Sequence, residues 1–169
     1  MSDLIIRHVT RADVPGLIEN VLGDTGQRVV ERRVGEHEVG YRHMMVAELG
    51  GRVVGTVSTG GVGHEMPDSL RLFALDVGEV HRGRGIGTAL IEAVEARAAG
   101  LGLGGVNLEV SVDNGGAIRL YERRGYKFAA GPIDETWPRP LPDGTIQQVA
   151  DKQWVMAKRL DGTRRTRGR

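Results

Sequence analysis

The chain has 169 residues, 40% of them hydrophobic and 27% charged, with a formal net charge of +1. This length fits a single domain, and so small a net charge gives no global reason to expect nucleic acid as a partner. The sequence holds no cysteine, which excludes disulfides, thiolate zinc sites and a cysteine acyl-enzyme.

Apolar periodicity and turn residues divide the first half of the chain into six elements. In chain order, the prediction is a strand at 4–8, helices at 10–22 and 27–41, and strands at 43–49, 52–59 and 70–77. Thr10 and Asp13 have the spacing of a capping box, and Pro15 fits the first turn of the helix that follows. Gly50 and Gly51 are typical of a two-residue loop, so the strands beside them are predicted to form an antiparallel hairpin.

The second half is predicted to add five elements and a long insertion. In chain order, they are a helix at 87–99, a strand at 106–112, a helix at 115–124, and strands at 126–129 and 153–159. Gly125 fits a left-handed stop after the second helix. Residues 131–152 contain the turn signal Pro142-Asp143-Gly144 and are expected to form an extended arm or hairpin. The domain is predicted to cover residues 1–160, and the basic residues 161–169 are expected to be a solvated, disordered tail.

The loop between strand 70–77 and helix 87–99 carries an informative pattern. Its sequence from Arg82 to Thr88 is RGRGIGT, which contains R-x-x-G-x-G. Glycines let several backbone N–H groups approach one object closely, and a helix N-terminus favours an anion, so the loop predicts a pyrophosphate site. The pattern matches neither Walker A nor the dinucleotide fingerprint G-x-G-x-x-G.

A second pattern follows about two dozen residues later. Strand 106–112 leads to Asn114, then to a helix that carries Tyr121, and then to the exit Gly125-Tyr126. Together the two patterns resemble the acyl-CoA signature of the GNAT superfamily of N-acetyltransferases, and the resemblance spans about residues 4–160. It implies an α/β fold with a splayed mixed sheet in the order β-α-α-β-β-β-α-β-α-β-β and helices on both faces.

The resemblance also implies how acetyl-CoA is held. The residues it assigns to cofactor binding are Leu75, Val77, Arg82, Gly83, Arg84, Gly85, Ile86, Gly87, Thr88, Asn114 and Tyr121. The backbone of residues 75–77 is expected to pair with the pantetheine arm as an added strand would. Thr88 is expected either to cap the helix or to donate to a phosphate. Asn114 is expected either to cap its helix or to contact the CoA arm, and one residue can do both.

Tyr121 and Glu109 are the predicted catalytic residues. Tyr121 occupies the family's place for the tyrosine that protonates the departing thiolate, a role that suits a phenol with a pKa of about 10. The alternative for Tyr121 is a packed aromatic side chain. Glu109 is the predicted base, acting directly or through water, with Asp76 and Glu79 as weaker candidates. The alternative for each of the three is a structural carboxylate. Some relatives carry a glutamate base on the preceding strand, but the corresponding residue here is Arg71.

The expected reaction is direct transfer of an acetyl group from acetyl-CoA to an amine, with a small molecule as the preferred acceptor. Three alternatives stay open. They are an acyl-CoA sensor without turnover, a transferase that acts on hydroxyls or uses longer acyl chains, and an unrelated nucleotide-binding module. The antibiotic, polyamine, amino-acid and protein classes of acceptor are not distinguished by the sequence.

Partners and location follow from what the sequence lacks. No apolar run approaches the roughly 20 residues needed to cross a bilayer, and the N-terminus has no secretory profile, so a cytoplasmic protein without membrane contact is expected. The histidines lack ligand spacing, and no metal is predicted. Trp137, close to Asp134 and Glu135, is expected to be exposed and to meet either a cationic acceptor or the partner subunit of a homodimer.

Overall fold

The computed structural model describes residues 3–60 and 65–160. The strands are β1 (Leu4–His8), β2 (Arg42–Leu49), β3 (Arg52–Gly60), β4 (Ser69–Val77), β5 (Gly105–Ser111), β6 (Lys127–Pro140) and β7 (Ile146–Arg159). The helices are α1 (Val14–Asn20), α2 (Gln27–Glu38), α3 (Ile86–Gly100) and α4 (Gly115–Arg123), with 3-10 turns at Arg11–Asp13 and Glu79–His81. The predicted order of strands and helices is therefore confirmed. The predicted tail at 161–169 lies outside the described residues.

The seven strands form one mixed sheet in the order β1-β2-β3-β4-β5-β7-β6. β4 and β5 run parallel, whereas every other neighbouring pair is antiparallel. Leu17 of α1 and Val30 of α2 are completely buried in a cluster on one face of the sheet. Leu90 and Ile91 of α3 are completely buried in a second cluster on the other face. Helices cover both faces, as predicted, because each face of the sheet carries an apolar surface that must be buried.

Local turn chemistry accounts for most element boundaries. Gly50 and Gly51 have φ values of +57° and +80°, the left-handed pair that a two-residue hairpin loop requires. Gly125 has a φ of +92° and ends α4 as predicted. The Asp13 carboxylate accepts a hydrogen bond from the backbone N–H of Thr10 at 2.7 Å. The capping box is therefore present, although it opens a 3-10 turn rather than the α-helix itself.

The hairpin formed by β6 and β7 is much longer than the strands predicted at 126–129 and 153–159. Its strands pair from Lys127 opposite Ala157 out to Pro140 opposite Ile146. The turn is closed by the N–H of Thr145, which donates to the Asp143 carboxylate at 2.9 Å. The predicted arm is thus a two-stranded ribbon. Its outer half is mostly polar and exposed, so hydrophobic alternation does not signal these strands.

Three histidines from β1, α2 and β2 meet at one end of the sheet. The Nδ1 atom of His8 and the Nε2 atom of His43 lie 2.8 Å apart, and His37 Nδ1 accepts the backbone N–H of Met44 at 3.0 Å. Burial lowers the pKa of His37 and lowers that of His43 to about 4, and the charge of Arg97 adds to the lowering at His43. The folded protein therefore holds both rings neutral.

We expect acid to destabilise the fold through this cluster. In the unfolded chain each ring titrates at a pKa of about 6.5, whereas in the folded chain His43 titrates at about 4. The unfolded state therefore binds more protons between these values, and the unfolding free energy falls as the pH drops below about 6.5. Urea midpoints measured across this range should fall less for His43→Gln than for wild type. If the urea midpoints of the two proteins fall in parallel as the pH drops, the titration of His43 does not destabilise the fold.

Candidate active site

The two parallel strands at the centre of the sheet separate partway along their length. β4 and β5 pair only where Ser69, Leu70 and Arg71 lie beside residues 105–107. Beyond Arg71 the two strands diverge and leave a gap between their C-terminal halves. The splay implied by the family resemblance is thus present. It leaves one edge of β4 open to an extended ligand.

A β-bulge in β4 shapes the wall of this gap. Ser58 of β3 lies opposite Phe73, but Thr56 lies opposite Asp76. Two residues of β4, Ala74 and Leu75, therefore occupy the place of one, and Ala74 has a φ of +50°. A bulge takes backbone groups out of the strand ladder and redirects them. Here the redirected backbone lines the gap.

The glycine-rich loop closes one end of the gap. Gly83 and Gly85 have φ values of +75° and +80°, and no atom lies within 4 Å of the position that a Cβ would occupy on either. Gly85 is the N-cap of α3, so the N–H groups of residues 86–88 have no acceptor within the helix. Arg82 Nε donates to the carbonyl of Val77 at 3.2 Å and fastens the loop to the end of β4. These features make a concave cradle of N–H groups suited to phosphate oxygens.

Gap and cradle form one cleft of about 1020 Å³. The predicted site residues that line it are Leu75, Val77, Arg82, Gly83, Gly85, Ile86, Gly87, Thr88, Glu109, Asn114 and Tyr121. Arg84 does not line the cleft, because its side chain is directed into solvent. The helix begins before Thr88 and has no side-chain cap, which removes the capping alternative for this residue. The Asn114 side chain accepts a hydrogen bond from the backbone N–H of Ala117 at 3.2 Å, and so it caps α4. The same residue also lines the cleft.

Tyr121 lies buried on the α4 side of the cleft. Its side chain is 7% exposed, and its ring packs edge-on against Tyr126 with the centroids 5.7 Å apart. Burial, and secondarily the charge of Asp76, raise the pKa of Tyr121 to about 12. The phenol is therefore protonated at neutral pH and able to donate. Tyr126 donates to Glu95 at 3.2 Å and packs in the core, as predicted for that residue.

Glu109 lies in the cleft but is engaged by a cation. Arg71 Nε lies 3.1 Å and 3.0 Å from its two carboxylate oxygens, and the Glu109 side chain is only 6% exposed. Arg71 also donates to the carbonyl of Gly60 at 3.3 Å and stacks over Phe73, with its guanidinium carbon 4.5 Å from the ring centroid. The Glu109 carboxylate is therefore held in an ion pair that joins β5 to β4.

Asp76, which the sequence ranks below Glu109 as a candidate base, also lies in the cleft. It lines the same cleft immediately after the bulge, and it is half-buried. Burial raises the pKa of its carboxyl group, against the opposing charges of Arg33 and Arg82. Its signal in the sequence is an aspartate within the otherwise apolar segment LFALDV. An ionisable group with a perturbed pKa in a cleft is a candidate for chemistry.

A second groove, of about 650 Å³, lies where the tip of the β6–β7 hairpin meets the start of α2. Its walls include Leu141 and Ile146 from the hairpin and Arg28 from α2. The two segments approach so closely that a Cβ on Gly26 would lie 3.1 Å from the Cα of Pro142. Trp137 is half-buried rather than exposed as expected, since strand pairing places Val149 beside it.

Residues 3–60 and 65–160 lack two further features. They contain no group of three or more histidine, aspartate or glutamate side chains arranged to hold a metal ion. None of the helices in these ranges has the length and apolar character needed to cross a membrane.

Solved structures with the same fold include several N-acetyltransferases. Spermidine N-acetyltransferase of Vibrio cholerae, solved with CoA and spermine, has a TM-score of 0.71 at 18% identity over 94% of this chain and 96% of that one. PaiA N-acetyltransferase of Thermoplasma acidophilum, solved with coenzyme A, has a TM-score of 0.69 at 13% identity over 93% and 99%. Ribosomal-protein-alanine N-acetyltransferase of Brucella melitensis has a TM-score of 0.65 at 23% identity over 92% and 99%.

Sequence similarity is concentrated in the central part of the chain. The mouse (Mus musculus) protein described as probable N-acetyltransferase family 8 member 5 is 44% identical over an alignment of 86 residues that covers 48% of this chain and 37% of that protein. The match thus spans little more than a third of the length of that relative. The sequence pattern of the acetyltransferase (GNAT) family matches residues 19–126, which include β4, the glycine-rich loop and α4. The chain belongs to the GNAT family of acetyltransferases.

Proposed function

We propose that this protein is an N-acetyltransferase that transfers an acetyl group from acetyl-CoA directly to a small-molecule amine. The observation that carries the proposal is the continuity of the cleft. The open edge of β4, the cradle at Gly85 and the phenol of Tyr121 all line the same cavity. A long, thin cofactor with a phosphate at one part and a reactive thioester at its end fits such a cavity. The solved complexes of two structural neighbours with CoA agree with this assignment.

The cradle would hold the pyrophosphate of the cofactor. Residues 83 and 85 leave space because both are glycines with left-handed backbones. Arg82 would add positive charge beside the N–H groups of the first turn of α3, and the hydroxyl of Thr88 lines the same surface. Arg84, which is exposed, would contribute only at a distance.

The open strand edge would hold the pantetheine arm. From Leu72 onward, β4 does not pair with β5, so the backbone of Leu75 and Val77 would meet the amide groups of the arm. The Val77 carbonyl also accepts a hydrogen bond from Arg82. Asn114 would contact the arm from the opposite wall while it caps α4. When bound, acetyl-CoA supplies an electrophilic thioester carbonyl and a thiolate leaving group.

The residues of the chain would then act on charges that develop during transfer. A backbone N–H of residues 75–77, at and just after the bulge, would stabilise the developing negative charge on the carbonyl oxygen. Tyr121 would donate its proton to the departing sulfur, since its raised pKa keeps the phenol protonated. Glu109 would act mainly through its ion pair with Arg71, which links β5 to β4 where the two strands diverge.

A screen of amines with acetyl-CoA and mass detection tests the proposed activity. The panel should contain polyamines, free amino acids, aminoglycosides and peptides that begin with alanine, because the structural neighbours include transferases named for spermidine and for protein alanine. Formation of an acetylated small amine is the expected result. Binding of acetyl-CoA without product from any amine would instead indicate an acyl-CoA sensor.

We propose that the β6–β7 hairpin governs the choice of acceptor or dimer formation rather than cofactor binding. None of the predicted cofactor residues lies in its outer part, residues 131–152, and its tip contacts the α1–α2 connection instead. Trp137→Ala should leave the acetyl-CoA dissociation constant within about twofold, well below the 1.4 kcal/mol of a tenfold change. It should raise the acceptor KM or shift the oligomeric mass.

Thr136→Ala is the matched control, because Thr136 is the exposed neighbour of Trp137 on β6. Thr136→Ala should change neither the acceptor KM nor the oligomeric mass. Calorimetry, acceptor kinetics and light scattering on both variants give the three readings. A tenfold loss of acetyl-CoA affinity in Trp137→Ala, with the other two readings unchanged, would assign the hairpin to the cofactor site.

A further inference from the structure

We propose that Asp76 is a catalytic residue that takes a proton from the acceptor amine. This inference rests on the proposed function and names the proton acceptor of the same site. It differs from the sequence-based prediction, which favoured Glu109.

The position of Asp76 fits contact with the reacting atoms. The residue lies directly after the bulge of β4, opposite Thr56 of β3, and it lines the cleft that also contains Tyr121. Its charge raises the pKa of Tyr121, so the carboxylate and the phenol share one electrostatic environment. The proposed proton donor for the thiolate and the proposed acceptor for the amine thus line the same cleft.

Asp76 is also the more available carboxylate. Within the described part of the chain, its side chain takes part in no hydrogen bond or ion pair. Glu109, by contrast, is bound by Arg71 at 3.0 Å, and Glu36 of α2 is bound by Arg42 at 2.9 Å. A half-buried carboxylate without a partner is costly to the fold. A bound ammonium group would supply the missing partner.

Burial and the neighbouring charges act on the pKa of Asp76 in opposite directions. Burial raises the pKa of its carboxyl group, whereas Arg33 of α2 and Arg82 of the glycine-rich loop lower it. From α4 the facing titratable group is Tyr121, which is neutral because its own pKa is about 12. The strand opposite, β3, contributes the uncharged Thr56. On β5 the titratable group in the cleft is Glu109, whose charge is balanced by Arg71. A base is most effective when its pKa approaches the working pH.

The proton balance of the proposed step is complete. The acceptor ammonium gives one proton to the Asp76 carboxylate, and the freed lone pair forms the N–C bond while the C–S bond breaks. The departing sulfur takes the phenol proton of Tyr121. The phenolate is protonated again by the second proton that leaves the acceptor nitrogen, and Asp76 returns its proton to solvent. Each amide formed therefore releases one proton and one free thiol.

The test compares the pH dependence of kcat/KM for wild type and for variants at Asp76, Arg33 and Glu109. The substrates are acetyl-CoA and the amine that wild type acetylates fastest in the screen. Asp76→Asn should lower kcat/KM at neutral pH by about 10² or more, and the deficit should shrink at high pH, where more of the amine is already deprotonated. Arg33→Gln should move the acidic limb of the profile to higher pH, because removal of the cation raises the pKa of the Asp76 carboxyl group. Glu109→Gln should leave the position of that limb unchanged.

Two controls separate catalysis from folding and from cofactor binding. Asp24→Asn makes the same chemical change at an exposed residue of the α1–α2 connection and should match wild type. Asp76→Asn should bind acetyl-CoA within about twofold of wild type by calorimetry. It should unfold at no lower temperature, because it removes a half-buried charge without a partner.

Three outcomes would overturn the inference. The first is an Asp76→Asn protein with wild-type kcat/KM across the pH range. The second is an acidic limb that disappears in Glu109→Gln, and the third is a limb that does not move in Arg33→Gln. In each of these, turnover by wild type would leave the proposed function standing. Failure of wild type to acetylate any amine while it binds acetyl-CoA would instead overturn the proposed function, and the inference with it.

Discussion

Gly85→Val is expected to weaken acetyl-CoA binding by at least about a hundredfold, which corresponds to roughly 2.8 kcal/mol. Two effects act together. The isopropyl group would extend from a Cβ position that now faces open space inside the cradle, where the phosphate oxygens are proposed to lie. The φ of +80° at this position also disfavours a β-branched residue, so the amides of the first turn of α3 would be displaced. Titration calorimetry with acetyl-CoA measures the loss.

Gly102→Val provides the matched control. Gly102 has a φ of +73°, and a Cβ there would also face open space, but the residue lies beyond the C-terminus of α3 and outside the cleft. Both variants should lose similar stability, about 1–2 kcal/mol for a left-handed residue with a side chain. Only Gly85→Val should lose the cofactor. Wild-type affinity in a folded Gly85→Val protein would remove the loop from the cofactor site.

Tyr121→Phe is expected to lower kcat by about 10² or more while the acetyl-CoA dissociation constant stays within about twofold. The substitution removes one hydroxyl group and retains the ring that packs against Tyr126. A buried phenol with a pKa of about 12 stays protonated throughout the neutral pH range. Its loss should therefore lower the rate without adding a new inflection to the pH–rate profile below about pH 9. Single-turnover measurements are required, because slow product release hides a change in the chemical step.

Tyr126→Phe tests whether the effect is specific to the cleft. This tyrosine loses only its hydrogen bond to Glu95, and it lies outside the cleft. The variant should lose about 1 kcal/mol of stability and retain its turnover. Equal single-turnover rates for wild type and Tyr121→Phe would exclude Tyr121 as the proton donor.

Sequence reasoning succeeded where local chemistry determines the structure. Gly50 and Gly51 predicted a hairpin, and Gly125 predicted a helix stop, because each position needs a left-handed backbone that the residue type itself favours. The R-x-x-G-x-G pattern predicted a concave loop at the N-terminus of α3 for the same reason. The family resemblance then supplied the long-range feature, the gap between β4 and β5, that no single segment encodes.

Sequence reasoning is limited where distant segments decide the structure. The pairing of Arg71 with Glu109 joins residues 38 positions apart, so the sequence could not show that the predicted base is already held by a cation. The β6–β7 ribbon is longer than its apolar alternation indicated, because strand pairing rather than burial fixes its outer half. Asp76 ranked low because its partial burial in the cleft depends on how β4 packs against distant segments such as α3, which only the folded structure shows.

The central claim is that the cleft between β4 and β5 carries out acetyl transfer to an amine, and the stoichiometry of the reaction tests this claim most directly. Free thiol and acetylated amine are measured in the same reaction, with acetyl-CoA and the best amine of the screen. The account predicts one thiol released for each amide formed, at a rate that depends on both substrates and is lost in Gly85→Val. Thiol release that is no faster with the protein than without it, across the whole panel, would contradict the account.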